Sequence, residues 1–168
     1  PVAELGETAP EPPTVTVAGR RTTRRPITDL LVVDLSSMWA GPLCGRLLAA
    51  AGATVVKVES PSRPDGTRAG EPRFFDWVNG GKLSCAIDFD NALLRDLLEA
   101  ADIVIEGSRS AALRRRGLAA EKLPARPGRV WLRLTGHGGP STRVAFGDDA
   151  AVAGGLVGRS ATGPVFCG

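Results

Sequence analysis

The chain has 168 residues, 43% hydrophobic and 23% charged, which suits one globular domain able to bury a core. Its net charge of +3, from 21 basic and 18 acidic residues, is too small and too spread out for a nucleic-acid surface and only weakly favours an anionic ligand. One histidine (His137) and three scattered cysteines (Cys44, Cys85, Cys167) exclude a His-rich metal centre, a zinc-deaminase or H-E-x-x-H motif and a disulfide framework, and fit a cytoplasmic setting; no apolar run reaches the roughly 18 residues of a membrane helix.

The chain starts at Pro1 and reads as a piece of something longer. Residues 1–26, with scattered Glu and Pro and then Arg20-Arg21-Thr22-Thr23-Arg24-Arg25-Pro26, read as a flexible linker or arm. Its arginines are either a solvated tether or a phosphate-contacting arm. Residues 27–168 read as a single domain.

Leu30–Leu35 is a short β-branched run, expected as a buried strand. Gly41-Pro42 opens a helix with Leu43, Leu47, Leu48 and Ala51 on its apolar face, stopped by Gly52. Thr54–Glu59 is a second strand. Residues 60–72 are a Pro- and Gly-rich loop, and Phe74–Val78 a helical turn. Leu83–Phe89 alternates as a strand, and Asn91 caps a helix to Ala101 with Leu93, Leu94, Leu97 and Leu98 inward. Ile103–Ile105 is a strand, Ser110–Arg116 a basic helix stopped by Gly117, Arg129–Leu134 a strand and Asp148–Val157 a small-residue helix.

Strands alternating with helices predict an α/β, Rossmann-like parallel sheet flanked by helices. Ligands of such sheets sit beyond the carboxyl ends of the strands. That puts residues 36–41, 60–68, 106–109 and 136–140 on one rim. A dinucleotide site is one alternative, with Glu59 as the ribose acid, but Ser36–Gly45 offers only G-x-x-x-G rather than G-x-G-x-x-G. A non-catalytic interaction module using the arginine arm is another. His137 reads as a loop histidine, since no neighbouring carboxylate orients it as a base.

Trp39-Ala40-Gly41-Pro42, Leu47-Leu48 and Gly52–Glu59 resemble the opening of the family III CoA-transferases. The likeness continues in order through Asn79-Gly80-Gly81-Lys82, Ser84–Phe89, Ala101–Glu106, Leu113–Leu118, Thr135–Gly138 and Gly147-Asp148-Asp149. The resemblance implies coenzyme A, as substrate and without a metal, held across the strand ends. Ser37, Met38, Trp39 and Ala40 would lie against the nucleotide and Arg115 on a CoA phosphate, a role that suits a guanidinium fork. Arg114–Arg116 also read as a solvated helix end. Ile87, Phe89, Gly107, Ser108 and Asp149 match further CoA-lining positions, although Ile87 and Phe89 equally read as core.

Trp39 stands where the family often has Gln and could stack on adenine. Ser60 stands where it has Arg, so Arg63 or Arg68 would supply that charge. The family's N-F-x-P-G loop reads Gly107–Ala111. The resemblance places the nucleophilic aspartate beyond Gly168, so no catalytic residue is assigned within the chain. Asp148 and Asp149 read as helix-start carboxylates. The family's racemases carry His near Asp148, and its absence argues against racemisation. The whole enzyme is expected to form a dimer and to move CoA from an acyl-CoA to a carboxylic acid through an acyl-aspartyl anhydride.

Overall fold

The short β-branched runs place alternate side chains into two cores, one on each face of a sheet. The computed structural model describes residues 13–107, 110–137 and 145–166. Five strands, β1 (Leu31–Asp34), β2 (Thr54–Glu59), β3 (Leu83–Ala86), β4 (Ile103–Glu106) and β5 (Val130–Arg133), pair in parallel in the order β3-β2-β1-β4-β5. The chain winds outward from β1 through β2 to β3, then crosses back to lay β4 on the other side of β1. The topological switch point therefore lies between β1 and β4, where open α/β sheets bind ligands.

Helix α1 (Ala40–Ala50) covers one face, over Val32, Val55 and Ile105. Helices α3 (Ala92–Ala100) and α4 (Ser110–Arg115) cover the other, over Val33, Leu35, Val58 and Val104. Helix α2 (Pro72–Asn79) packs beside α1. The α/β parallel architecture is the one expected.

The contacts divide the chain into two units, residues 18–134 and residues 135–168 with 1–17. In the latter, α5 (Gly147–Ala153) is followed by β6 (Val157–Ser160) and β7 (Gly163–Phe166), an antiparallel hairpin. The helix expected through Val157 stops at Ala153, because Gly154-Gly155 ends it and Gly155 takes a positive φ.

Three further expectations are corrected. The third strand ends at Ala86, not Phe89: its partner β2 ends at Glu59, whose carbonyl accepts the Ile87 amide at 2.9 Å as the last ladder bond. In α1 the buried residues are Gly41, Pro42 and Gly45, while Leu47 is exposed; small side chains let the helix lie close on the sheet. In α3 Leu94 and Leu98 are buried and Leu97 is partly so, but Leu93 points to solvent.

Residues 18–26 are irregular, yet several are anchored. The Gly128 amide donates to the Arg20 carbonyl at 2.9 Å. Arg25 donates to Asp102 at 2.8 Å, and Arg126 donates to the same carboxylate at 2.9 Å. Asp102 also accepts the Leu31 amide. These contacts lie at the amino ends of β1 and β4, opposite the rim.

Candidate functional site

The rim is built around Ser36, the second residue after β1. Glycines approach it from two sides. A Cβ on Gly41 would sit 2.1 Å from Ser36 Oγ, and one on Gly107 would sit 2.9 Å from Ser36 Cβ. Glycine is needed at both places because the backbones of α1 and of the β4 exit come too close for any side chain. Ser36 N donates to Asp34 Oδ1 at 3.0 Å, and its hydroxyl also bonds that oxygen. The turn then passes through Met38, the one described non-glycine residue with a positive φ (75°), before Trp39 opens α1.

Two buried ion pairs lie under this turn. Lys82 donates to Asp34 at 2.8 Å and to the Pro42 carbonyl at 2.7 Å. Lys57 donates to Asp65 at 2.8 Å and to the Ser36 carbonyl. All four side chains are at least 98% buried. Burial pushes the Lys82 ammonium below its ordinary value, against the pull of Asp34. Burial acts to raise the Asp65 pKa, but the bonds from Lys57 and the Thr67 amide outweigh it, and its carboxyl lies below the usual range. Burial, then the nearby Asp34 carboxylate, raises the Cys44 pKa, which makes a reactive thiolate unfavourable there.

Sequence reasoning missed this network, although a signal was present. Asp34 and Lys57 interrupt otherwise apolar strands, and a charge in a doubly covered parallel strand must have a partner. The loop 60–69 supplies one: Asp65 is followed by a 3-10 turn (Gly66–Ala69) and bonds Thr67. Glu59 is fully engaged, accepting from Arg68 at 2.6 and 2.9 Å and from the Asp65 amide at 2.8 Å. The hydrogen bonds of Arg68 hold its carboxyl below the usual carboxylate range. A glutamate occupied in this way is poorly placed to bind a ribose, which disfavours the dinucleotide alternative.

The three arginines 114–116 differ in their contacts. Arg114 donates to Glu121 at 2.7 Å, and Arg116 pairs with Asp90 at 2.9 Å. Glu121 is also 3.9 Å from Arg133, which donates to the buried Glu106 at 3.2 Å alongside Trp131 at 2.7 Å. Among the described residues Arg115 has no such partner and is exposed. The Arg116–Asp90 pair ties the end of α4 to the β3–α3 loop, which carries Ile87 and Phe89. Those two side chains pack on the α3/α4 core while remaining partly accessible. Of the two candidate replacement cations, Arg68 is held by Glu59, and Arg63 sits in a tight turn closed on the Ser60 carbonyl at 3.0 Å.

Beside the turn, Trp39 lies 5.1 Å from Phe74 and 6.3 Å from Trp77, ring centre to ring centre. Trp39 is 55% exposed, so a cluster of mutually tilted rings with an accessible indole follows Met38. The structure thus brings Ser37, Met38, Trp39, Ala40 and Gly107 to the switch point, and Ile87, Phe89 and Arg115 to the neighbouring side of the same unit. Asp149 belongs to the second unit, in the first turn of α5. Ser108 lies outside the described residues. Among the described residues no group of three or more His, Cys, Asp or Glu is arranged to hold a metal, and no helix is long and apolar enough to cross a membrane.

Comparison with known proteins agrees with the fold. The chain is 35% identical over 154 residues to a succinyl-CoA–D-citramalate CoA-transferase of Chloroflexus aurantiacus, covering 83% of this chain and 38% of that protein. It is 34% identical to a succinate–glutarate CoA-transferase of Agrobacterium fabrum, covering 67% of this chain and 33% of that one. Among solved structures, a hypothetical protein from Mycobacterium tuberculosis superposes with a TM-score of 0.73 at 28% identity, over 83% of this chain and 42% of its own. A CAIB/BAIF family protein from Brucella suis gives 0.65 at 35% identity, over 75% and 38%. The chain therefore spans well under half the length of these relatives. The sequence profile of CoA-transferase family III matches residues 27–164, and the chain belongs to that family.

Proposed function

We propose that residues 27–168 form the CoA-binding part of an enzyme that moves CoA between an acyl-CoA and a carboxylic acid. The observation that carries this reading is that, among the described residues, the exposed guanidinium of Arg115 has no acidic partner, while Arg114 and Arg116 on either side are paired with acids. An unpaired cation beside the ligand-binding edge of a parallel sheet suits a phosphate. The turn Ser37–Ala40, with Gly107 beside it, would hold the nucleotide, and Trp39 offers a face for adenine to stack on. Ile87 and Phe89 complete the proposed lining within this unit.

In the complete enzyme an aspartate outside these 168 residues attacks the thioester carbonyl. The acyl-aspartyl anhydride forms as the CoA thiolate leaves. The thiolate then attacks the aspartyl carbonyl of the anhydride, so that an aspartyl-CoA thioester forms and the first carboxylate leaves. The second carboxylate attacks that thioester, expelling the thiolate and forming a second anhydride. Thiolate attack on its acyl carbonyl gives the new acyl-CoA and frees the aspartate. The covalent intermediate divides one difficult exchange into easier steps. On this reading the 168 residues bind CoA and do not turn over by themselves, and the whole enzyme works as a dimer.

Calorimetric titration of CoA tests the reading. Arg115→Ala should weaken CoA binding about tenfold, the loss of one charge-assisted phosphate contact, while Arg114→Ala leaves it nearly unchanged. Equal binding by Arg115→Ala and the unaltered protein, or binding of NADH without CoA, contradicts it.

A further inference from the structure

We propose that the buried Lys57–Asp65 pair is a positioning clamp for the turn Ser36–Trp39, setting CoA affinity without touching the ligand. The inference rests on the CoA-binding role proposed for this turn. Both side chains are at least 98% buried, so neither can contact a ligand at the rim. A buried ion pair is also a weak source of stability, since its desolvation opposes its attraction. What this pair does have is a specific set of second contacts. Lys57 Nζ donates to the Ser36 carbonyl. The Asp65 carboxylate accepts the Met38 amide, at 3.2 Å through Oδ1 and 3.3 Å through Oδ2. One pair thus holds the carbonyl at the start of the turn and the amide two residues later.

The held conformation is one that a chain with a side chain at Met38 rarely adopts, with φ at 75°. Something must over-determine it. Asp34 holds the Ser36 amide and hydroxyl from the β1 side, and Lys82 neutralises Asp34. Only Asp65 reaches the Met38 amide among the described contacts. Asp65 is itself fixed by Thr67, and its own amide is fixed by Glu59, which Arg68 holds. The loop 60–69 is therefore a brace. It carries order from the Arg68–Glu59 pair through Asp65 to the backbone that would face the nucleotide.

Native-state hydrogen exchange and CoA titration on the full chain test the clamp, with Asp102→Asn as the control. Asp102 is an equally anchored carboxylate, but at the amino ends of the strands and outside the proposed site. In the unaltered protein the Met38 amide should be protected like a strand amide, although the residue is 43% exposed. Asp65→Asn should speed that exchange at least tenfold and weaken CoA at least fivefold, at a temperature where circular dichroism shows all variants folded. Asp102→Asn should leave CoA affinity unchanged and speed Met38 exchange only as much as it speeds the strand amides, through its loss of global stability, whereas Asp65→Asn should speed Met38 beyond the strand amides. Open-loop exchange of Met38 in the unaltered protein overturns the clamp without any variant, as does acceleration of Met38 in Asp65→Asn that merely matches that of the strand amides. Normal CoA affinity in Asp65→Asn overturns it too. If the unaltered protein binds no CoA, the proposed function fails and the link to affinity with it, while Met38 exchange still decides whether the pair holds the turn.

Discussion

Asp102 shows how one carboxylate can anchor a segment. Burial works to raise its pKa, but the Leu31 amide and the guanidinium groups of Arg126 and Arg25 bring it down to about 2. A carboxyl whose pKa is lowered by folding stabilises the protein above its unfolded value and loses that contribution as pH falls through the folded value. Stability should therefore decline between about pH 4 and pH 2, by up to about 2 kcal/mol from this residue. Chemical denaturation at stepped pH should show that decline, and Asp102→Asn should flatten it while lowering stability at pH 7. An unchanged pH slope in the variant would contradict the assignment. Arg25 also shows why the arginine cluster resisted reading. Composition identifies a basic arm, but its acid lies 77 residues away, brought close only by the parallel pairing of β1 with β4.

Among the elements, α3 separates what pattern reveals from what it hides. Asn91 caps it as expected, its side chain accepting the Leu93 amide at 2.9 Å. The four leucines read as one apolar face, yet Leu93 is 64% exposed and Leu98 fully buried. Adjacent leucines are separated by about 100° around a helix, so a double-leucine repeat cannot all face one core. Leu98→Ala should cost about 2–5 kcal/mol, and Leu93→Ala no more than about 0.5 kcal/mol, measured by urea denaturation. Comparable losses would contradict the burial assignment. The parallel sheet was legible because β-branched runs alternate with capped helices. The charged network under the turn was only half legible. Asp34 and Lys57 stand out within apolar strands, but their partners Lys82 and Asp65 come from a helix exit and a Pro-rich loop whose positions depend on the tertiary fold. The hairpin β6–β7 was missed because Gly154-Gly155 breaks a small-residue run that otherwise reads as continuous helix.

At the scale of the molecule, the winding order β3-β2-β1-β4-β5 puts a topological switch point between β1 and β4. Glycines close in on Ser36 there, two buried ion pairs support the turn, and α4 ends on Arg115, which has no acidic partner among the described residues. On the proposed reading CoA lies at this switch point, and the differing contacts of Arg114, Arg115 and Arg116 make Arg115 the residue that would meet its phosphate. Amide exchange across the chain, with and without saturating CoA, tests that account most directly. CoA should slow exchange at residues 37–40 and around Arg115, and leave the Leu31 and Gly128 amides at the opposite ends of the strands unchanged. Protection centred on those opposite ends, or no protection at the turn while CoA is bound, would contradict it.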